Sequence, residues 1–173
     1  MKFICKLTGD QIIQLADEGE LTNIFLIPLN NEIKHKVQEY LEENTGFDNT
    51  PVMGLVKVNN NEGLEKCWED LGSLLPIKQG DFLVEFDMPD DMVAVIGYDS
   101  LLEVLSRPNL VNNLNDYLTL EEHTSSETEA AFVGVLFAKF CSGYKLLGPN
   151  WEQESCNLKP LSEIKKSDFF NRG

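Results

Sequence analysis

FLVEFDM, residues 82–88, alternates apolar and acidic residues from Val84 on. Phe82, Val84, Phe86 and Met88 fall on one side of an extended chain. Leu83, Glu85 and Asp87 fall on the other, and Asp81 prolongs that second row. A period of two is the mark of a strand with one face in a core. The spacing therefore predicts a strand over Phe82–Met88, with Phe82, Val84 and Phe86 buried and Asp81, Glu85 and Asp87 exposed. Pro89-Asp90-Asp91 reads as a turn, and Val93–Ile96 extends again.

Upstream, Lys2–Leu7 reads as a first strand. Thr8-Gly9-Asp10-Gln11 has the capping-box pattern, a hydroxyl residue with Gln three places on. A short helix is expected to follow, burying Ile12, Leu15 and Ala16, with Gly19 as its stop. Ile24–Leu29 is extended and apolar, and Pro28 places it at an edge or a strand end. Asn30 or Asn31 caps a second helix, in which Ile33, Val37, Tyr40 and Leu41 share one face. It ends near Thr45-Gly46. Val52–Val58 reads as a strand. Leu64, Cys67, Trp68 and Leu71 mark a third helix.

Downstream, Asp99 caps a short helix over Ser100–Leu105, and Arg107-Pro108 breaks it. Leu110–Leu118 is a weak helix, because its asparagines lower the propensity. Ser126-Glu127-Thr128-Glu129 repeats the capping-box pattern. It predicts a helix through Cys141 that buries Val133, Phe137 and Ala138, while the β-branched and aromatic content leaves a strand open. Gly148-Pro149-Asn150 is a turn, and Trp151–Leu158 and Lys165–Phe169 read as strands. Helices and strands alternate without a βαβ rhythm. The fold class expected is a single α+β domain over residues 1–173, with a mixed or antiparallel sheet and several short helices.

The chain has 173 residues, 42% of them apolar, with ten Phe and two Trp, so one sizeable core is expected. No apolar run approaches the roughly 20 residues that cross a bilayer. The first residues are too charged for a signal peptide. A cytoplasmic protein, of a bacterium or of a phage-infected cell, is the expectation. Cys5, Cys67, Cys141 and Cys156 match no zinc or redox spacing and read as buried free thiols.

Charge is the most informative property. The net charge is −15, and Glu62–Glu103 alone holds eleven acids against two bases. Such a chain repels phosphates, so direct binding to nucleic acid is not expected. Asp81, Glu85 and Asp87 form one carboxylate row, at alternate positions roughly 6.6–6.8 Å apart along a strand. Glu62, Glu65 and Glu69 form a second, on one face of the preceding helix.

Catalytic motifs are sparse. His35 lies between Lys34 and Lys36 and reads as a solvated surface residue. His123, beside Thr124-Ser125-Ser126, reads as loop or cap polarity. No nucleophile elbow and no Cys–His pair occur. Gly143 and Gly148 do not make a phosphate loop. Asp87, Asp90 and Asp91 lack the glycine and terminal glutamate of a calcium loop and read as an acidic turn. No metal and no cofactor are expected on this basis.

FLVEFDMPDDMVAVIGYDSLLEVL, residues 82–105, resembles the central stretch of a family of small uncharacterised bacterial proteins. Members show an apolar strand, Pro-Asp-Asp, a second strand, an aromatic-Asp pair and a short helix. Thr50-Pro51-Val52-Met53-Gly54 and Cys156–Phe169 echo the same family, which implies no activity. A distant similarity connects the chain to ADP-ribosyltransferase-like domains. Thr124-Ser125-Ser126 and Glu152-Gln153-Glu154 follow in that family's order, although Lys2 and Lys6 stand where it has Arg or His. This second resemblance implies a small NAD-using transferase in which Glu154 steadies charge developing on the ribose.

Taken with the charge, the leading expectation is an acidic interaction or inhibitor protein. Glu62, Glu65, Glu69, Asp81, Glu85 and Asp87 would meet a basic partner, such as a nucleic-acid-binding enzyme. Anti-CRISPR and anti-restriction proteins of phages act in this way. The transferase is the alternative.

Overall fold

The structure is a computed structural model, described here over residues 1–22, 31–46, 52–57, 63–64, 77–96 and 128–164. Among the described residues, eight strands and two α-helices make a mixed α+β fold: β1 (Lys2–Leu7), α1 (Gly9–Glu18), β2 (Glu20–Leu21), α2 (Asn31–Thr45), β3 (Val52–Lys57), β4 (Phe82–Asp87), β5 (Ala94–Ile96), β6 (Thr128–Val133), β7 (Leu136–Phe137) and β8 (Cys141–Leu146). Six strands form one sheet in the order β5-β6-β3-β1-β4-β8, and β2 pairs with β7 in a small ribbon. Every neighbouring pair is antiparallel.

The local signals around α1 act as the sequence implies. Thr8 Oγ1 accepts from the Gln11 N–H at 3.3 Å, and Gln11 Oε1 accepts from the Thr8 N–H at 2.9 Å. Two otherwise orphaned amides are thereby satisfied. Gly19 ends the helix at φ 81°, a left-handed conformation that a side chain would strain. Ile12 and Leu15 are buried, and Ala16 is half-buried.

One core lies between α1 and a sheet face. Phe3, Cys5 and Leu7 of β1 meet Phe86, Val84 and Phe82 of β4 in register. Ile12, Leu15, Val52, Val133, Leu136 and Tyr144 join the same cluster. The core side of Phe82–Met88 is thus as the alternation predicts. The opposite face is also buried: Ile4, Leu55, Leu83 and Phe132 are fully enclosed. A sheet covered on both sides has no solvent face for half of each strand. Within α2, Val37 and Leu41 are buried, and the helix lies beside the turn Asp90–Met92.

Three expectations are corrected. The helix from Ser126 through Cys141 is replaced, from Thr128 on, by β6, β7, a turn of 3-10 helix over Ala138–Phe140, and β8. Residues 130–136 are all buried. β6 fits between β3 and β5, where both sides of a strand face packed atoms. Trp151–Leu158 is not a strand. A 3-10 turn occupies Trp151–Gln153, and only an isolated bridge, Tyr144 to Lys159, follows. Asp81 and Glu85 are buried, at 6% exposure each, where solvent was expected. The expected elements at Ile24–Leu29, Leu64–Leu71 beyond Leu64, Ser100–Leu105, Leu110–Leu118 and Lys165–Phe169 lie outside the described residues.

Candidate functional site

The carboxylate row of β4 faces a lysine row on β1. Register sets Lys2 opposite Asp87, Ile4 opposite Glu85 and Lys6 opposite Leu83. Long side chains on adjacent strands also reach diagonally. Lys6 Nζ comes within 3.6 Å of Asp81 Oδ2, and Lys2 Nζ lies 4.0 Å from Glu85 Oε2 and 3.8 Å from Asp87 Oδ2. The Met1 amine lies 3.5 Å from Asp87 Oδ1 and 3.3 Å from Asp90 Oδ1, and donates to the Met88 carbonyl at 2.8 Å. Much of the row's negative charge is therefore compensated within the sheet.

Asp81 and Glu85 also hold backbone. Asp81 Oδ2 accepts from the Lys78 N–H at 2.8 Å, closing the turn that enters β4. Glu85 Oε1 accepts from the Leu64 N–H at 2.6 Å. Gly63 is what admits the carboxylate: a Cβ there would lie 2.9 Å from Glu85 Cδ. Glu85 thus ties residues 63–64 to the sheet.

Asp87 alone of this row is open, at 58% side-chain exposure. Asp90 and Asp91 beside it are exposed as well. The neighbouring helix α2 exposes Glu39, Glu42 and Glu43. Glu39 is engaged on its own helix, 3.1 Å from His35 Nε2 and 3.6 Å from Lys36 Nζ. Asp10, Asp17, Glu18 and Glu20 are exposed on and after α1. Among the described residues, Lys78, Lys139 and Lys159 are the exposed bases. Lys139 lies over the rings of Phe137 and Phe140, at 5.2 and 5.0 Å from their centres. Glu62, Glu65 and Glu69 lie outside the described residues.

Nucleophilic chemistry gains little support from the described groups. Burial drives the Cys5 thiol far above its ordinary range. Burial, with the Glu85 carboxylate nearby, pushes Cys141 up to about 11. Both remain thiols at neutral pH, and the thiol is the unreactive form. Cys5, Cys141 and Cys156 are in no disulfide, and the last two are half-buried. Glu154 lies 3.2 Å from Lys145 Nζ, and Lys2 and Lys6 face the β4 acids. Thr124, Ser125, Ser126 and His123 lie outside the described residues. Among the described residues no group of three His, Cys, Asp or Glu side chains is placed to hold a metal ion, and no helix is long and apolar enough to cross a membrane.

No known family, curated protein or solved structure matches the chain. The candidate site therefore rests on its own chemistry: one end of β4 and the helix beside it, both rich in exposed carboxylates.

Proposed function

We propose that the chain is an acidic interaction protein that inhibits a basic partner by occupying its nucleic-acid-binding surface. The observation that carries this reading is a division of labour among the acids. Asp81 and Glu85 are spent on the fold, whereas Asp87, Asp90 and Asp91, with Glu42 and Glu43 of α2, stand exposed on neighbouring elements. Glu62, Glu65 and Glu69 belong to the proposed face on the strength of their sequence spacing. Each exposed carboxylate contributes little alone, but together they produce a field that raises encounter rates with a basic surface.

The test is competition. The protein, immobilised at low salt, is expected to retain a basic nucleic-acid-binding protein from its native cell, and duplex DNA or RNA is expected to release it. Raised salt should do the same, since screening shortens the reach of exposed charge. A retained partner that still binds nucleic acid at full strength while held would contradict inhibition by occupation.

A further inference from the structure

The sheet carries a wedge at β8. On one side β8 pairs with β4. On its other side the Tyr144 N–H donates to the Lys159 carbonyl at 2.8 Å, and the Lys159 N–H returns to Tyr144 at 2.9 Å. This bridge is isolated. A continuing antiparallel ladder would next set Leu146 opposite Asn157. Instead, Tyr144–Leu146 and Asn157–Lys159 line a partly open pocket of about 410 Å³.

Backbone groups two residues apart on a strand point the same way. Leu146 therefore turns its N–H and C=O toward the side on which Tyr144 meets Lys159. Leu147 fixes the phase, because its N–H donates to the Asp81 carbonyl at 3.0 Å, on the β4 side. The wedge thus has the hydrogen-bonding edge of a strand on one wall.

Its charge is opposite to that of the chain. Among the described residues, the lining holds Lys145 and Lys159 and no carboxylate, although the sequence has 29 acids against 14 bases. Lys159 is exposed, and the Lys145 ammonium is paired with Glu154 at 3.2 Å. We propose that the wedge takes an extended acidic segment of a partner protein by strand addition. Main-chain hydrogen bonds at Leu146 would supply affinity, and the exposed Lys159 would select for acidic side chains. The site is separate from the acidic face and takes a partner of the opposite charge.

The experiment uses the full chain, ¹⁵N-labelled, and a short peptide alternating Asp and Val. Amide signals of Leu146 and of Asn157–Lys159 are expected to shift saturably, and hydrogen exchange at Leu146 to slow about tenfold or more. Lys159→Glu, an exposed change that spares the core, should weaken the peptide about tenfold. The same peptide N-methylated at every residue keeps its charge but loses its donors, and should not bind. Four results would overturn the proposal. They are no shift at Leu146, equal binding of a Lys-Val peptide, undiminished binding of the N-methylated peptide, or the same shifts at the same concentration with inorganic phosphate.

Discussion

Phe86→Ala is expected to destabilise the protein by about 3–5 kcal/mol, the range for removing a fully buried ring. Phe86 has no exposed surface and sits opposite Phe3 in the centre of the sheet. It joins β1, β4 and the cluster reaching α1, so truncation leaves a cavity bounded by strands that cannot close over it. Both the lost transfer energy and the cavity contribute. Urea denaturation of the two proteins measures the difference. A loss below about 1 kcal/mol would mean that the ring is not in the core.

The second large effect concerns Glu85. As a member of an exposed acidic row it would be dispensable, and its neutralisation would relieve repulsion. In the fold it accepts from Leu64, lies near Lys2 and is 6% exposed. Glu85→Ala is expected to cost about 1–3 kcal/mol, because a buried amide is left without its acceptor. Glu85→Gln should cost less, since an amide oxygen can still accept from Leu64. Asp87→Asn should stay within about 0.5 kcal/mol, as an exposed pair contributes little. Denaturation curves of the three variants order these effects. A Glu85→Ala protein as stable as Asp87→Asn would contradict the structural role.

The contrast shows what sequence pattern carries. The Thr8–Gln11 capping box is legible because all its atoms lie within one turn. The core side of β4 is legible because Phe82, Val84 and Phe86 are apolar whichever strands lie beside them. The other side is not, because a period of two separates faces without saying what covers each. Asp81 and Glu85 become internal only when β1 brings Lys2 and Lys6 across from them, from 83 positions away in sequence for Lys2–Glu85 and 75 for Lys6–Asp81. Leu83, apolar in the middle of the acidic row, was the available sign of a second buried layer. Residues 130–136 mislead for a related reason. Ala130, Ala131 and Leu136 suit a helix, and pairing of the first two with β3 and β5 and of Leu136 with β2 decides otherwise.

The most direct test of an acidic face is the association rate with the captured basic partner. Wild type would be compared with Asp87→Asn/Asp90→Asn/Asp91→Asn at ionic strengths of about 0.01 and 0.15 M, where charges reach about 30 and 8 Å. The wild-type rate is expected to fall steeply with salt, and the triple variant to start slower and fall less, with little change in dissociation. An unchanged association rate and an unchanged salt slope in the variant would contradict the proposed face.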